Sequence, residues 1–99
     1  MTYELNDGCK ERAIESMTKN MLVLRTMLHL SQAELASMIG LGRQTFVAIE
    51  NQKRKMTWSV FLSLLFVFSQ NDETNALLDI FGIYTDELKR VYADVVSRK

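Results

Sequence analysis

The side chains that most often carry covalent or metal chemistry are scarce in this 99-residue chain, which has one cysteine, Cys9, and one histidine, His29. A lone cysteine forms no intramolecular disulfide, and without a CxxC or a Cys/His cluster there is no zinc ligand set. Neither a metal nor a cofactor is therefore expected. Cys9 lies near the N-terminus with no motif to activate it and reads as chemically idle; His29, with no second histidine or carboxylate set beside it, reads as structural. No nucleophile stands next to a base, and Gly40 and Gly42 punctuate helices rather than cradle a phosphate, so an enzyme is the class with least support. What remains is recognition chemistry. Arg43 and Gln44 stand together, followed by Thr45. The arginine fork fits the O6/N7 edge of guanine and the glutamine amide fits the N6/N7 edge of adenine.

The charge pattern agrees locally but not globally. Twelve Lys and Arg balance twelve Asp and Glu, so no overall basic field announces a nucleic acid. Between Lys19 and Lys55, however, six basic residues (Lys19, Arg25, Arg43, Lys53, Arg54, Lys55) face only Glu34 and Glu50, an excess of four positive charges. The rest of the chain carries the matching negative excess. A neutral protein can thus present one basic face, with moderate salt sensitivity.

Those residues need elements to position them. At 47% hydrophobic and 24% charged the chain suits one domain over residues 1–99, and the absence of proline with only four glycines favours helices over strands. Ile14, Met17, Met21, Leu24 and Leu28 recur at three and four, which predicts a helix over about 10–28. Ser31 with Glu34 makes a capping box, Leu35, Ala36 and Ile39 form the buried face behind it, and Gly40 ends that helix. Gly42 starts the next, with Phe46 and Ile49 inward, and Gln52 to Lys55 form the following loop. Thr57 caps a fourth helix through Phe68 that is apolar nearly all round and must be covered on more than one side. A helix over 73–81, with Leu77, Leu78, Ile80 and Phe81, closes at Gly82, and Thr85 caps a last helix with Leu88, Val91, Tyr92 and Val95 on one face. The six methionines and the aromatic residues Trp58, Phe61, Phe66 and Phe68 read as core. The nine-residue apolar run from Val60 to Phe68 is too short for a bilayer, which needs roughly twenty residues, and the acidic N-terminus is not a secretory signal. A reducing cytoplasm is expected, with no membrane partner.

The segment Gln32 to Asn51, QAELASMIGLGRQTFVAIEN, resembles the helix-turn-helix of the phage repressor and Cro family, also called the XRE family, and the likeness extends from Leu24 to Phe68. It rests on the cap at Ser31, the small Ala36 where the helices cross, Gly40 at the turn, and Leu35, Phe46 and Ile49 inside. The resemblance implies an all-α, lambda-repressor-like bundle of about five helices, here with one additional C-terminal helix. It implies that the helix 43–51 enters the major groove of double-stranded DNA, with Arg43, Gln44, Thr45 and Ala48 at base edges and Ser31, Gln32, Asn51, Lys53, Arg54 and Lys55 at phosphates. It also sets Arg25 against Glu50 as a structural ion pair. Two positions depart from the family pattern: Gln52 stands where relatives usually have glycine, and Met56-Thr57 where a proline often precedes the fourth helix.

The expectation is a sequence-specific transcriptional regulator acting as a homodimer on a two-fold operator, cytoplasmic and nucleoid-associated when bound. Residues 70–99 would pack as a helical extension on the fourth helix, covering Val60, Leu62, Phe66 and Val67, or dimerise. The alternative is an antitoxin-like module whose C-terminal helices bind a protein partner.

Overall fold

The structure, a computed structural model, describes residues 7–97, and within them every regular element is a helix: α1 (Asp7–Met27), α2 (Gln32–Met38), α3 (Arg43–Glu50), α4 (Trp58–Ser69), α5 (Asp72–Ile80) and α6 (Asp86–Ser97). Met1 and the side chain of Val95 lie outside the described residues. No described helix is long and apolar enough to cross a membrane.

α1 is the longest element, about 31 Å at 1.5 Å per residue. Its stripe Ala13, Ile14, Met17, Met21 and Leu24 is buried, with Cys9 one turn earlier on the same side. Cys9 is therefore a core residue rather than a thiol on a loose terminus. Burial, reinforced by the Glu87 carboxylate, pushes its thiol up from the ordinary value of 9.0.

Four helices end in the same way. The residue after the cap is left-handed, its N–H and that of the next residue reach back to the last turn, and the orphan carbonyls are satisfied. Gly40 (φ 74°) and Gly82 (φ 70°) do this after α2 and α5, with Leu41 N–H donating to Ala36 at 2.9 Å and Ile83 N–H to Leu78 at 2.9 Å. His29 (φ 57°) and Gln52 (φ 62°) do the same after α1 and α3, with Leu30 N–H donating to Arg25 at 3.2 Å and Lys53 N–H to Ala48 at 2.8 Å. Gln52 thus takes the left-handed conformation that glycine adopts after α2 and α5, and His29 has a backbone role. Such a conformation costs a non-glycine residue roughly 1–2 kcal/mol.

The starts of α2, α4, α5 and α6 are side-chain caps. Ser31 Oγ accepts from Glu34 N–H at 3.0 Å while Glu34 accepts from Ser31 N–H at 2.9 Å, which closes the capping box. Thr57 Oγ1 accepts from Val60 N–H, and Thr85 Oγ1 from Leu88 N–H, both at 3.2 Å. α5 begins one residue before its expected start, because Asn71 Oδ1 accepts from Glu73 N–H (2.9 Å) and Thr74 N–H (3.2 Å). Thr74, buried, donates to the Phe68 carbonyl at 2.5 Å and seals α5 onto the end of α4.

Around α4 the core forms at Phe61, Leu64 and Phe68, while Trp58 and Leu65 are half-buried. Trp58 stacks on Phe61 with centroids 4.6 Å apart. α5 packs on α4 and α1, and Leu78, Ile83 and Leu88 bring residues after 70 into the same core. That cover is partial. Val60 and Val67 pack against the core, but Leu62 is 36% and Phe66 68% exposed, with Met38 57% exposed nearby. Phe66 and Met38 are accordingly surface residues. Ile80 is also turned out, at 73% exposure, while Ile83 from the turn after α5 is buried. On α6, Leu88 is buried, Val91 half-buried and Tyr92 39% exposed.

Candidate nucleic-acid interface

α2 and α3 are short helices packed on one another, and α3 packs on α1. Leu35 and Ala36 from α2 meet Phe46 and Ile49 from α3 in the core, with Ile39 and Leu41 packed against them through the turn. Phe46 and Ile49 are three apart and occupy one side of α3. The opposite side is consequently free, and its first residues, Arg43 and Gln44, are exposed. Gly42 caps α3 with no side-chain bond.

The carboxylate of Glu50 ties three helices together. Arg25, in the last turn of α1, donates from Nε to Oε2 and from Nη2 to Oε1, both at 3.0 Å, and from Nη1 to the Leu30 carbonyl at 3.0 Å. Gln32, the first residue of α2, donates from Nε2 to the same Oε1 at 2.8 Å. The Arg25 and Glu50 side chains are 12% and 9% exposed, so this fork-to-fork pair is largely desolvated. It fixes the far end of α3 to α1, and through Gln32 to the start of α2. The Gln32 amide has two N–H donors, and only one is used on Glu50.

Gln32, Arg43, Gln44, Val47, Ala48, Asn51 and Lys53 line one open depression of about 380 Å³ along α3. Six of the residues assigned to DNA from the sequence are therefore brought together, and Val47 joins them. Lys53 is held there by its own backbone bond to Ala48. The other assigned residues lie apart from it. Thr45 is half-buried and does not line the depression, and Ser31 uses its hydroxyl as the α2 cap. Lys55 Nζ is 2.6 Å from Glu11 of α1, and with Arg54 it borders a second depression shared with Glu15, Thr18 and Lys19. Of the KRK loop only Lys53 faces both surfaces. Sequence reasoning missed Val47 because it follows Phe46 in an apolar run; its four-residue spacing from Arg43 was the available signal.

Comparison of the chain with protein-family models, with curated proteins and with solved structures gives no match.

Proposed function

We propose that the chain is a sequence-specific DNA-binding regulator of transcription, with α3 entering the major groove of double-stranded DNA. One observation carries this reading: the exposed side of α3 gathers two cations and three amides in one depression with no carboxylate on its lining among the described residues. An eight-residue helix with its N-terminal residues exposed and its back buried on a short preceding helix is an arrangement that suits a groove. Arg43 and Gln44 are assigned to purine edges and Ala48 to a thymine methyl, whereas Gln32, Asn51 and Lys53 are assigned to phosphates. Arg54 and Lys55, if they meet the backbone, do so on the flank toward α1. The reading includes a lambda-repressor-like arrangement of α1–α5 with α6 added, a cytoplasmic location at the nucleoid, and no catalytic role.

The regulator is proposed to act as a homodimer, since one short helix reads only a few base pairs and two about 34 Å apart read a palindrome. The uncovered apolar side chains Phe66, Leu62 and Met38 favour a protein contact. A distinct protein on that surface, as an antitoxin-like module would have, is the second reading. Selection of bound duplexes from a random DNA pool tests the first, and the expected product is a two-fold motif. Sedimentation of the chain and of Phe66→Asp tests the second, with a dimer lost in the variant expected for self-association and a monomer in both cases for a different partner.

A further inference from the structure

The depression along α3 has an apolar floor inside a hydrogen-bonding rim. Val47 and Ala48 are both half-buried and form the floor, while Arg43, Gln44, Gln32, Asn51 and Lys53 surround them. Spacing explains the arrangement. Val47 is four residues from Arg43 and Asn51, and Ala48 four from Gln44, so floor and rim belong to one side of the helix. Among the described residues no acidic side chain lines this depression, and Glu50, the one carboxylate on α3, is turned into Arg25 and Gln32 instead. The rim thus offers donors and positive charge to an anionic, acceptor-rich partner, and the floor offers nothing that hydrogen-bonds.

Resting on the major-groove reading above, the chemistry of the floor narrows what it can contact. In the major groove the purine edges and cytosine present hydrogen-bonding atoms, and the apolar feature is the 5-methyl group of thymine. A polar edge set against Val47 and Ala48 would lose its water without a partner, which costs about 1–3 kcal/mol by itself. A methyl group costs nothing there and gains contact. We propose that the Val47–Ala48 floor seats the 5-methyl group of one thymine in each half-site, flanked by the purines that Arg43 and Gln44 read. Val47 then becomes a specificity-determining residue, and the sequence this chain prefers is defined at its centre by shape rather than by hydrogen bonds.

The test uses the full chain and chemically altered DNA. A duplex enriched from a random pool is resynthesised with each thymine replaced in turn by deoxyuracil, which keeps the pairing and O4 and removes only the methyl. Dissociation constants are then measured at one salt concentration. The expected result is a single thymine per half-site whose replacement weakens binding about fourfold, the worth of one buried methyl group. In Val47→Ala that penalty should shrink toward onefold. An enriched duplex that binds specifically yet is indifferent to uracil at every position overturns the inference and leaves the major-groove reading intact, as does a penalty of undiminished size in Val47→Ala. A pool that yields no enriched sequence overturns the major-groove reading and this inference with it.

Discussion

Removing one member of the Arg25–Glu50 pair leaves the other charged and largely out of water, and the size of the penalty follows from the contacts. In Arg25→Met, Glu50 loses two bonds of 3.0 Å and keeps only the Gln32 amide, while the Leu30 carbonyl loses its side-chain donor. Breaking a buried pair in this way costs about 3–5 kcal/mol, and the retained Gln32 bond and residual exposure of 9–12% put this case near the lower end, about 3 kcal/mol. For a domain of this size that is a fall in Tm of roughly 12–24 °C. Glu50→Leu should cost a similar amount, because Arg25 keeps only the Leu30 carbonyl. The double variant Arg25→Met/Glu50→Leu replaces both charges with apolar groups and should be less destabilised than the sum by about 2–3 kcal/mol. Urea melts of the four proteins, followed by helical circular dichroism and by the single Trp58, measure this coupling. Additive losses, or single losses under about 0.5 kcal/mol, would refute the view that this pair anchors α3.

Lys53→Ala should weaken binding to all DNA sequences alike and make the plot of log K against log salt about one unit shallower, checked by titrations at several salt concentrations; an unchanged slope would remove Lys53 from the phosphate set. Gln52→Gly should raise stability by about 0.5–1 kcal/mol in urea, because the relief of a left-handed side chain exceeds the added freedom of the unfolded chain. The Ser31 backbone N–H, and then its hydroxyl, hold the Glu34 carboxyl below the ordinary 4.5, so this cap contributes stability above that pH that is lost as the pH falls through the folded value. In Glu34→Gln that acid-dependent loss should disappear from the pH profile of Tm, and its persistence would assign the loss to other carboxylates.

Features governed by neighbours within three or four residues were legible in the sequence. The capping box at Ser31 and Glu34, the caps at Thr57 and Thr85, and the stripe Ile14, Met17, Met21 and Leu24 are all of this kind. Asn71 carries the same kind of signal, an Asn followed by Asp72 and Glu73, although the apolar run by itself points to a start one residue later. Counting that run alone sets Ile80 inward, yet it lies two residues from Leu78, about 200° round the helix, and so faces away. Gln52 could not be read from composition, since an αL residue without glycine leaves no mark on the sequence. The partners of the site residues are further apart still. Arg25 and Glu50 are 25 positions apart, Gln32 and Glu50 are 18, and Lys55 and Glu11 are 44. Only the resemblance set Arg25 opposite Glu50, and nothing local turned Gln32 toward Glu50 or drew Lys55 to α1.

The central claim is that the N-terminal residues of α3 read base edges, and the most direct measurement is to repeat the random-pool selection with Arg43→Ala and Gln44→Ala beside the native chain. Each variant should lose its preference at one base pair per half-site, guanine for Arg43 and adenine for Gln44, at a cost of about 1–3 kcal/mol there, and keep the rest of the motif. Variants that enrich the native motif with undiminished preference at every position would contradict it.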